Sequence, residues 1–298
     1  MPYLALSMDL GALDADRVEA ACFASGALSV TFSDSRDDAI LEPALGTQPL
    51  WPSTRLQALY ADSADAALLK LVLSSSLDIE PGSIHTAEVA DRVWEREWLR
   101  DFKAMKFGRR LWICPHHEQV TDPQAVIVAL DPGLAFGTGT HPSTALCLEW
   151  LDGQLAVGAE VLDFGCGSGI LALAAARLGA RHVTAYDIDP QALLATGQNA
   201  AANGLSALIS LCSSSRDLPA RTDIILANIL AGTLEALAAD FAGRLASGGR
   251  LLLAGILADQ ADAVTGAYAP WFDMKLAGQR QDWIALEGIR SGDVHGLS

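Results

Sequence analysis

Three glycines at alternate positions constrain the fold of this chain more than any other feature. Gly165, Gly167 and Gly169 follow an apolar run, residues 161–164, and precede a stretch with helical periodicity. A second apolar run then ends at Asp187. This order predicts a βαβ unit in which a glycine loop opens the helix and an acid follows the second strand.

The glycine loop and the acid together predict a site for a nucleoside. Glycine lets a backbone turn tightly and lets a ligand lie against it, because no Cβ intervenes. Since the loop opens a helix, we expect free N–H groups there that favour an anionic part of the ligand. Asp187 follows the loop by about 20 residues, where an acid can bind the two hydroxyls of a ribose.

Asp163 and the glycine spacing distinguish two classes of nucleoside-binding enzyme. The dinucleotide fingerprint has the spacing Gly-x-Gly-x-x-Gly. This chain has Gly-x-Gly-x-Gly, with Asp163 two residues before it. Asp-x-Gly-x-Gly-x-Gly resembles the first motif of the seven-stranded S-adenosylmethionine methyltransferases. We therefore predict S-adenosylmethionine as the cofactor, with a nicotinamide oxidoreductase as the alternative.

Composition limits the remaining classes of protein. The chain has 298 residues and is 51% hydrophobic, enough for one large domain or two ordinary ones. No apolar run approaches the roughly 20 residues of a membrane helix, and no secretory signal is visible. The five cysteines show neither metal-ligand spacing nor a disulfide framework, which is typical of a reducing compartment. We expect a cytoplasmic monomer without a metal or a membrane contact.

The chain is acidic, and its charge is uneven. The net charge of −16 argues against direct nucleic-acid binding, which needs a basic face, but permits steering of a basic partner. Residues 1–90 contain 13 acidic and four basic residues. Two interpretations remain open for this region: an acidic docking module, or a surface whose charge only keeps the protein soluble.

Residues 1–90 predict a small α+β domain. Strand-like runs and helical runs follow one another in the order β-α-β-β-α-β, which suggests a ferredoxin-like domain that holds a partner. Residues 91–109 predict a linker helix and connector. Trp94, Trp98 and Phe102 recur there every four residues, so they form a stripe on one helix face that packs against a domain or contacts substrate.

Residues 110–298 predict a doubly wound, seven-stranded α/β sheet. Apolar strand-like runs alternate with helical runs, and two successive strands near residues 272–276 and 282–288 predict an antiparallel hairpin at the sheet edge. Ligands of such sheets bind beyond the carboxyl ends of the strands. Gly165, Asp187 and Asn228 would all lie at that edge.

A second glycine-containing loop, residues 130–144, precedes a helix. It interleaves Gly137 and Gly139 with hydroxyl side chains and His141. The plain interpretation is a loop and a helix cap formed by the hydroxyl of Ser143 or Thr144. The alternative is a lid over the methionine end of the cofactor, with Thr144 bonding to it. His141 is a candidate general base, although a lone loop histidine is more often structural.

Several motifs together resemble one family. They read Leu-Asp-Pro-Gly-Leu-Ala-Phe-Gly-Thr-Gly-Thr-His-Pro-Ser-Thr at residues 130–144, Asp-Phe-Gly-Cys-Gly-Ser-Gly-Ile-Leu at 163–171, Asp-Ile-Asp-Pro at 187–190 and Ala-Asn-Ile-Leu-Ala-Gly at 227–232. The chain resembles the bacterial methyltransferases of large-subunit ribosomal protein L11 over essentially its whole length. The resemblance implies a substrate-recognition domain, a linker helix and a catalytic domain. It also implies methylation of lysine ε-amines and of the N-terminal α-amine of that ribosomal protein.

The same resemblance implies a set of cofactor contacts. They are Thr144, Gly165, Asp187 and Asn228, to which the loop position adds Gly167. Asn228 is also the candidate catalytic residue, because its carbonyl can accept a hydrogen bond from the incoming amine. The alternative is a turn residue at a strand end. Methyl transfer from a sulfonium chiefly needs alignment, so no strong base is expected.

Two further alternatives remain. Glutamine and nucleic-acid amino methyltransferases share an Asn-Pro-Pro-Tyr signature, whereas Asn228 is followed here by Ile229 and Leu230. A non-catalytic adaptor that binds S-adenosylmethionine is the option outside the enzymes.

Overall fold

The protein divides into two units, residues 1–94 and 95–298. The structure, a computed structural model, describes residues 3–36, 50–89, 103–130 and 139–291. Within those ranges, no helix has the length and apolar character needed to span a bilayer. The predicted aromatic linker helix and Gly137 lie outside the described residues.

The first unit is a four-stranded antiparallel sheet with two helices. Its strands are β1 (Tyr3–Asp9), β2 (Ser29–Asp34), β3 (Thr54–Ala61) and β4 (His85–Val89), and its helices are α1 (Ala15–Ala24) and α2 (Ala66–Leu77). The strands lie in the order β2-β3-β1-β4, and every neighbouring pair is antiparallel. The ferredoxin-like prediction is confirmed, since this is the order that a split β-α-β pair produces.

One apolar face of each element builds the core of the first unit. Strand β3 alternates, so that Leu56, Ala58 and Tyr60 are buried and the residues between them are more exposed. Both helices begin at an aspartate, Asp14 or Asp65, whose carboxylate accepts N–H groups of the first turn. Each such cap contributes about 1 kcal/mol to the stability of its helix.

The second unit contains a small sheet and a large one. The small sheet consists of β5 (Met105–Phe107), β6 (Leu111–Cys114) and β7 (Val126–Ala129). The large sheet consists of β8 (Glu160–Phe164), β9 (His182–Tyr186), β10 (Ile209–Cys212), β11 (Thr222–Asn228), β12 (Leu245–Leu257), β13 (Phe272–Arg280) and β14 (Trp283–Arg290). The helices are α3 (Pro142–Gln154), α4 (Ile170–Leu178), α5 (Pro190–Ala202), α6 (Ala231–Arg244) and α7 (Ala261–Tyr268).

The large sheet is doubly wound, as predicted. Its strands lie in the order β10-β9-β8-β11-β12-β14-β13. Strands β8 to β12 are parallel, and β13 and β14 form the predicted antiparallel hairpin at one edge. Because the strand order reverses between β8 and β11, a ligand crevice is expected at their carboxyl ends. Helix α7 was not predicted.

Successive residues of the parallel strands point to opposite faces of the sheet and pack in two different hydrophobic cores. Val161 and Leu226 pack in a cluster with residues of α3 and α4, whereas Leu162 and Ile225 pack with residues of α6 and α7. All four side chains are almost fully buried. This two-sided burial explains why these strands are continuous apolar runs in the sequence rather than alternating ones.

Candidate active site

The loop between β8 and α4 has a shape that only glycine permits. Gly165, Gly167 and Gly169 have φ angles of 77°, 54° and 80°. A Cβ on Gly165 would collide with the side chain of Ile229, and one on Gly169 would lie 2.7 Å from Cγ2 of Thr196. Gly165 and Gly167 are only half-buried. Their backbone atoms are therefore accessible to a ligand at the carboxyl end of β8.

Most of the loop N–H groups already have partners within the protein. Gly165 and Cys166 donate to the carbonyl oxygen of Tyr186, at 2.8 and 2.9 Å. Gly167 donates to Oδ2 of Asp187 at 2.9 Å. The expectation that these N–H groups await an anionic ligand is therefore wrong. They instead tie the glycine loop to the end of β9.

Asp163 supplies the negative charge at the start of α4. Gly169, at the cap position, has no side chain to offer, and Oδ2 of Asp163 accepts the N–H of Ala172 at 2.9 Å. The side chain is 1% exposed, and no described residue donates to its Oδ1. Burial raises the pKa of Asp163 to about 7; the Ala172 N–H opposes this rise, and the nearby charge of Asp187 adds to it.

Asp187 lies directly after β9, beside the glycine loop. Its Oδ2 accepts from Gly167, and its Oδ1 accepts the N–H of Asp189 at 3.0 Å. The next side chain, Ile188, is 82% exposed. An acid held by two backbone bonds thus stands next to an apolar side chain that nothing covers among the described residues.

Asn228 and Thr144 meet across 84 residues of sequence. Asn228 ends β11, and its Nδ2 donates to Oγ1 of Thr144 at 3.2 Å. Thr144 is buried in the first turn of α3. On the other side, a Cβ on Gly255 would lie 3.2 Å from Oδ1 of Asn228. The glycine therefore leaves room for the amide oxygen, to which no described group donates.

His141 is the N-cap of α3. Its Nδ1 accepts the N–H of Ser143 at 3.3 Å and lies 2.7 Å from the Ser143 hydroxyl oxygen. The ring also packs edge-on against Trp283, with 4.6 Å between ring centres. Burial lowers the pKa of His141, which favours the neutral ring. The cap interpretation holds, although the capping side chain is the histidine rather than Ser143 or Thr144.

Two residues of α5 that were not predicted from the sequence bond to the glycine loop. Oγ1 of Thr196 donates to the carbonyl oxygen of Gly167 at 3.0 Å, and Nδ2 of Asn199 donates to that of Ser168 at 2.8 Å. In the sequence they are two polar residues three positions apart in an alanine-rich helix. That spacing places both residues on one helix face, and this is the sequence signal by which they could have been predicted.

The site residues lie at the carboxyl ends of adjacent parallel strands. In the ladder, Phe164 of β8 is level with Tyr186 of β9 and with Ala227 of β11. The glycine loop, Asp187 and Asn228 therefore emerge at one level on either side of the switch point. A doubly wound sheet with this crevice and an antiparallel edge hairpin defines the class of seven-stranded α/β methyltransferases.

Comparison with known proteins identifies the family within that class. The family model described as ribosomal protein L11 methyltransferase (PrmA) matches residues 2–291. A relative of that name from Pseudomonas aeruginosa is 49% identical over 296 residues, which cover 98% of this chain and 100% of the relative. One from Shewanella sediminis is 47% identical over 295 residues, covering 97% and 100%. The chain belongs to the ribosomal protein L11 methyltransferase family.

A solved structure agrees with this assignment. The ribosomal protein L11 methylase from Lactobacillus delbrueckii subsp. bulgaricus is 34% identical, with a TM-score of 0.60. The match covers 64% of this chain and 100% of the solved one. The predicted family and fold class are both confirmed.

Proposed function

We propose that this protein transfers methyl groups from S-adenosylmethionine to amino groups of ribosomal protein L11. The observation that carries the proposal is the convergence of the glycine loop, Asp187 and Asn228 at one end of adjacent strands, in a member of this family. The acceptors are lysine ε-amines and the N-terminal α-amine. A ribosomal acceptor also favours a cytoplasmic location.

The crevice fits the parts of S-adenosylmethionine. Each carboxylate oxygen of Asp187 accepts one backbone N–H, which leaves a lone pair on each for a ribose hydroxyl. The exposed Ile188 offers apolar surface to the adenine ring. Gly165 and Gly167 allow close approach of the ligand, and Thr144 would contact its methionine end. When bound, the cofactor supplies a methyl group on a positively charged sulfur.

Asn228 positions the acceptor amine in this proposal. Thr144 holds Nδ2 of Asn228, which turns Oδ1 away from Thr144 and makes it available to an N–H of the incoming amine. A free lysine has a pKa of about 10.4, and desolvation in the crevice favours its neutral, nucleophilic form. No strong base is required. Nδ1 of His141 is already engaged in the helix cap.

Transfer of a labelled methyl group to L11 tests the function. With tritiated-methyl S-adenosylmethionine and a ribosomal extract, we expect the wild-type chain to label L11 on its amines. Asn228→Ala is expected to lower kcat about 100-fold, the scale of one oriented hydrogen bond in a transition state. The affinity for S-adenosylhomocysteine should change less than threefold, because a contact between the cofactor and the backbone of residue 228 is kept. Asn228→Asp keeps an acceptor oxygen and should lose less activity.

Two outcomes would count against these assignments. Label that appears only in RNA, or in no macromolecule, would overturn the proposed function. An Asn228→Ala variant with the wild-type kcat would remove the role of Asn228 while leaving the function in place.

The helix pair of the first unit carries an exposed apolar patch. The patch consists of Phe23, Leu68, Leu71 and Val72. Leu68 and Leu71 are 57% and 63% exposed, so no described residue covers them. Arg17 in the first turn of α1 donates to the carbonyl of Ser76 in the last turn of α2 at 2.8 Å, so the helices run antiparallel. Phe23 therefore lies at the same end of the pair as Leu68.

The two helix segments that carry this patch are acidic. Residues 14–24 and 62–80 contain seven acidic and two basic residues. In the described part of the first unit, the acidic side chains of these two segments form no ion pair. Acidic helices that also expose apolar side chains fit a basic protein that presents apolar side chains of its own. We therefore assign residues 1–90 to substrate recognition, 91–109 to the linker and 110–298 to catalysis.

Removing the apolar patch is expected to weaken L11 recognition without affecting chemistry. For the double substitution Leu68→Ser and Leu71→Ser, we expect KM for L11 to rise about tenfold, since each buried leucine contributes about 1.5–3 kcal/mol at most. kcat and cofactor affinity should not change. Leu276→Ser is the matched control, because Leu276 on β13 is also 57% exposed. An unchanged KM in the double variant would exclude the patch as the docking surface.

A further inference from the structure

Helix α5 holds two successive carbonyl groups of the glycine loop. The Thr196 hydroxyl donates to the carbonyl of Gly167, and the Asn199 amide donates to that of Ser168. Thr196 is fully buried, so its bond is shielded from water. Both hydrogen bonds therefore form on the side of the loop that faces α5.

Such anchoring matters because a glycine peptide has little conformational preference of its own. Gly167 and Gly169 each have access to several backbone conformations of similar energy. A rotated Gly167–Ser168 peptide would turn its carbonyl oxygen toward the crevice, where it would repel an anionic ligand group such as a carboxylate. The two bonds from α5 oppose that rotation.

Thr196 also sets the spacing between the loop and α5. Its Cγ2 and Oγ1 lie where a Cβ on Gly169 would come within 2.7 and 2.8 Å of them. Its Oγ1 is 3.4 Å from Sγ of Cys166. The Thr196 side chain therefore packs against the loop at Gly169 and also binds the carbonyl of Gly167. Its shape and its hydrogen bond both restrict the loop conformation.

We propose that Thr196 and Asn199 are positioning residues for the cofactor. From α5, they keep the glycine loop in its ligand-binding conformation. The inference rests on the proposed function, because it takes this loop as the floor of the S-adenosylmethionine site. The two residues act through Gly167 and Ser168, whose carbonyl groups they hold.

Isosteric substitution of Thr196 tests the proposal. Thr196→Val keeps the shape but removes the hydroxyl, and we expect the affinity for S-adenosylhomocysteine, measured by titration calorimetry, to fall about tenfold. Thr196→Ser keeps the hydroxyl and should bind within threefold of wild type. Asn199→Leu should weaken binding in the same direction as Thr196→Val.

Thr222→Val provides the matched control for lost stability. Thr222 is also buried and donates to a backbone carbonyl, that of Glu160 at 2.8 Å, but at the amino ends of β8 and β11. We expect it to lower Tm as much as Thr196→Val does, and to bind the ligand within twofold of wild type.

The outcomes separate this inference from the proposed function. Equal affinities for Thr196→Val and Thr222→Val, or a Thr196→Ser variant as weak as Thr196→Val, would overturn the positioning role alone. A wild-type chain that does not bind S-adenosylhomocysteine would overturn the proposed function and the positioning role with it.

Discussion

Replacing Asp187 by alanine is expected to weaken S-adenosylmethionine binding by a factor of about 100 or more. A carboxylate that accepts from two ribose hydroxyls makes two charge-assisted hydrogen bonds, each contributing about 1.5–3 kcal/mol. The substitution also removes the bond from the Gly167 N–H, so the glycine loop loses its tie to β9. Titration calorimetry of the wild-type and variant chains at one pH measures the difference directly.

The two contributions of Asp187 can be separated by a second substitution. Asp187→Asn keeps one carbonyl oxygen for the Gly167 N–H but loses the charge, so an intermediate affinity is expected. Asp189→Ala is the matched control. Asp189 caps α5 by accepting the N–H of Gln191, and its loss should cost about 1 kcal/mol of stability. Its effect on affinity should stay below threefold.

The ribose assignment depends on the contrast between these two acids. If Asp187→Ala binds S-adenosylmethionine as tightly as the wild-type chain, the ribose is held elsewhere and the assignment is wrong. If Asp187→Ala and Asp189→Ala weaken binding equally, the effect of Asp187 comes from the start of α5 and not from the ribose.

The main architecture was predictable because its determinants are local in the sequence. Each parallel strand is a short apolar run that is buried on both faces, and the glycine loop and Asp187 follow the ends of two such runs. A parallel sheet brings the carboxyl ends of its strands to one edge, so Asn228 could be placed there as well. The antiparallel hairpin followed from two strands with no helix between them.

The contacts that finish the site were not predictable because they join distant segments. The sequence shows glycines at the start of a helix, but not that Tyr186 and Asp187 already accept their N–H groups. It shows Asp163 as part of a motif, but not that its carboxylate caps α4. Thr196 looks like any polar helix residue until the face that α5 presents to the loop is known.

Asp163→Asn is expected to gain stability relative to the wild-type chain as the pH rises. The pKa of Asp163 is about 7 in the folded chain and 3.8 in the reference state, so the folded state binds this proton more tightly. Below about pH 4 both states are protonated and burial of the side chain carries no charge penalty. Above pH 7 the folded chain must bury a carboxylate, at a cost on the order of 4 kcal/mol. An asparagine avoids that cost, and its oxygen can still accept from Ala172.

The pH dependence, rather than the absolute stability, is the informative quantity. The asparagine places an NH2 group where Oδ1 of Asp163 has no described partner, and an unpaired buried donor costs about 1–3 kcal/mol at every pH. We therefore expect the free energy of unfolding of the variant, minus that of the wild type, to increase between pH 4 and pH 7 and then to level off. Chemical denaturation at a series of pH values measures it.

Glu287→Gln should show the opposite sign of pH dependence. Burial opposes ionisation of Glu287, but hydrogen bonds from Arg250 and the nearby Lys275 outweigh it and hold the pKa below its usual value. This carboxylate therefore stabilises the fold above its unfolded pKa of 4.5, and that stability is lost as the pH falls. The deficit of Glu287→Gln should shrink in acid, whereas the advantage of Asp163→Asn shrinks there.

A stability difference for Asp163→Asn that stays flat from pH 4 to pH 8 would contradict the buried-charge account. It would mean that the carboxylate is solvated or paired in the folded chain. A rise with pH would instead show that the protein maintains a destabilising carboxylate under the glycine loop. Stability is commonly sacrificed in this way at functional sites.

A cationic ligand that binds next to Asp163 would then favour the ionised carboxylate. Ligand binding should therefore reduce the pH dependence of the stability of the wild-type chain.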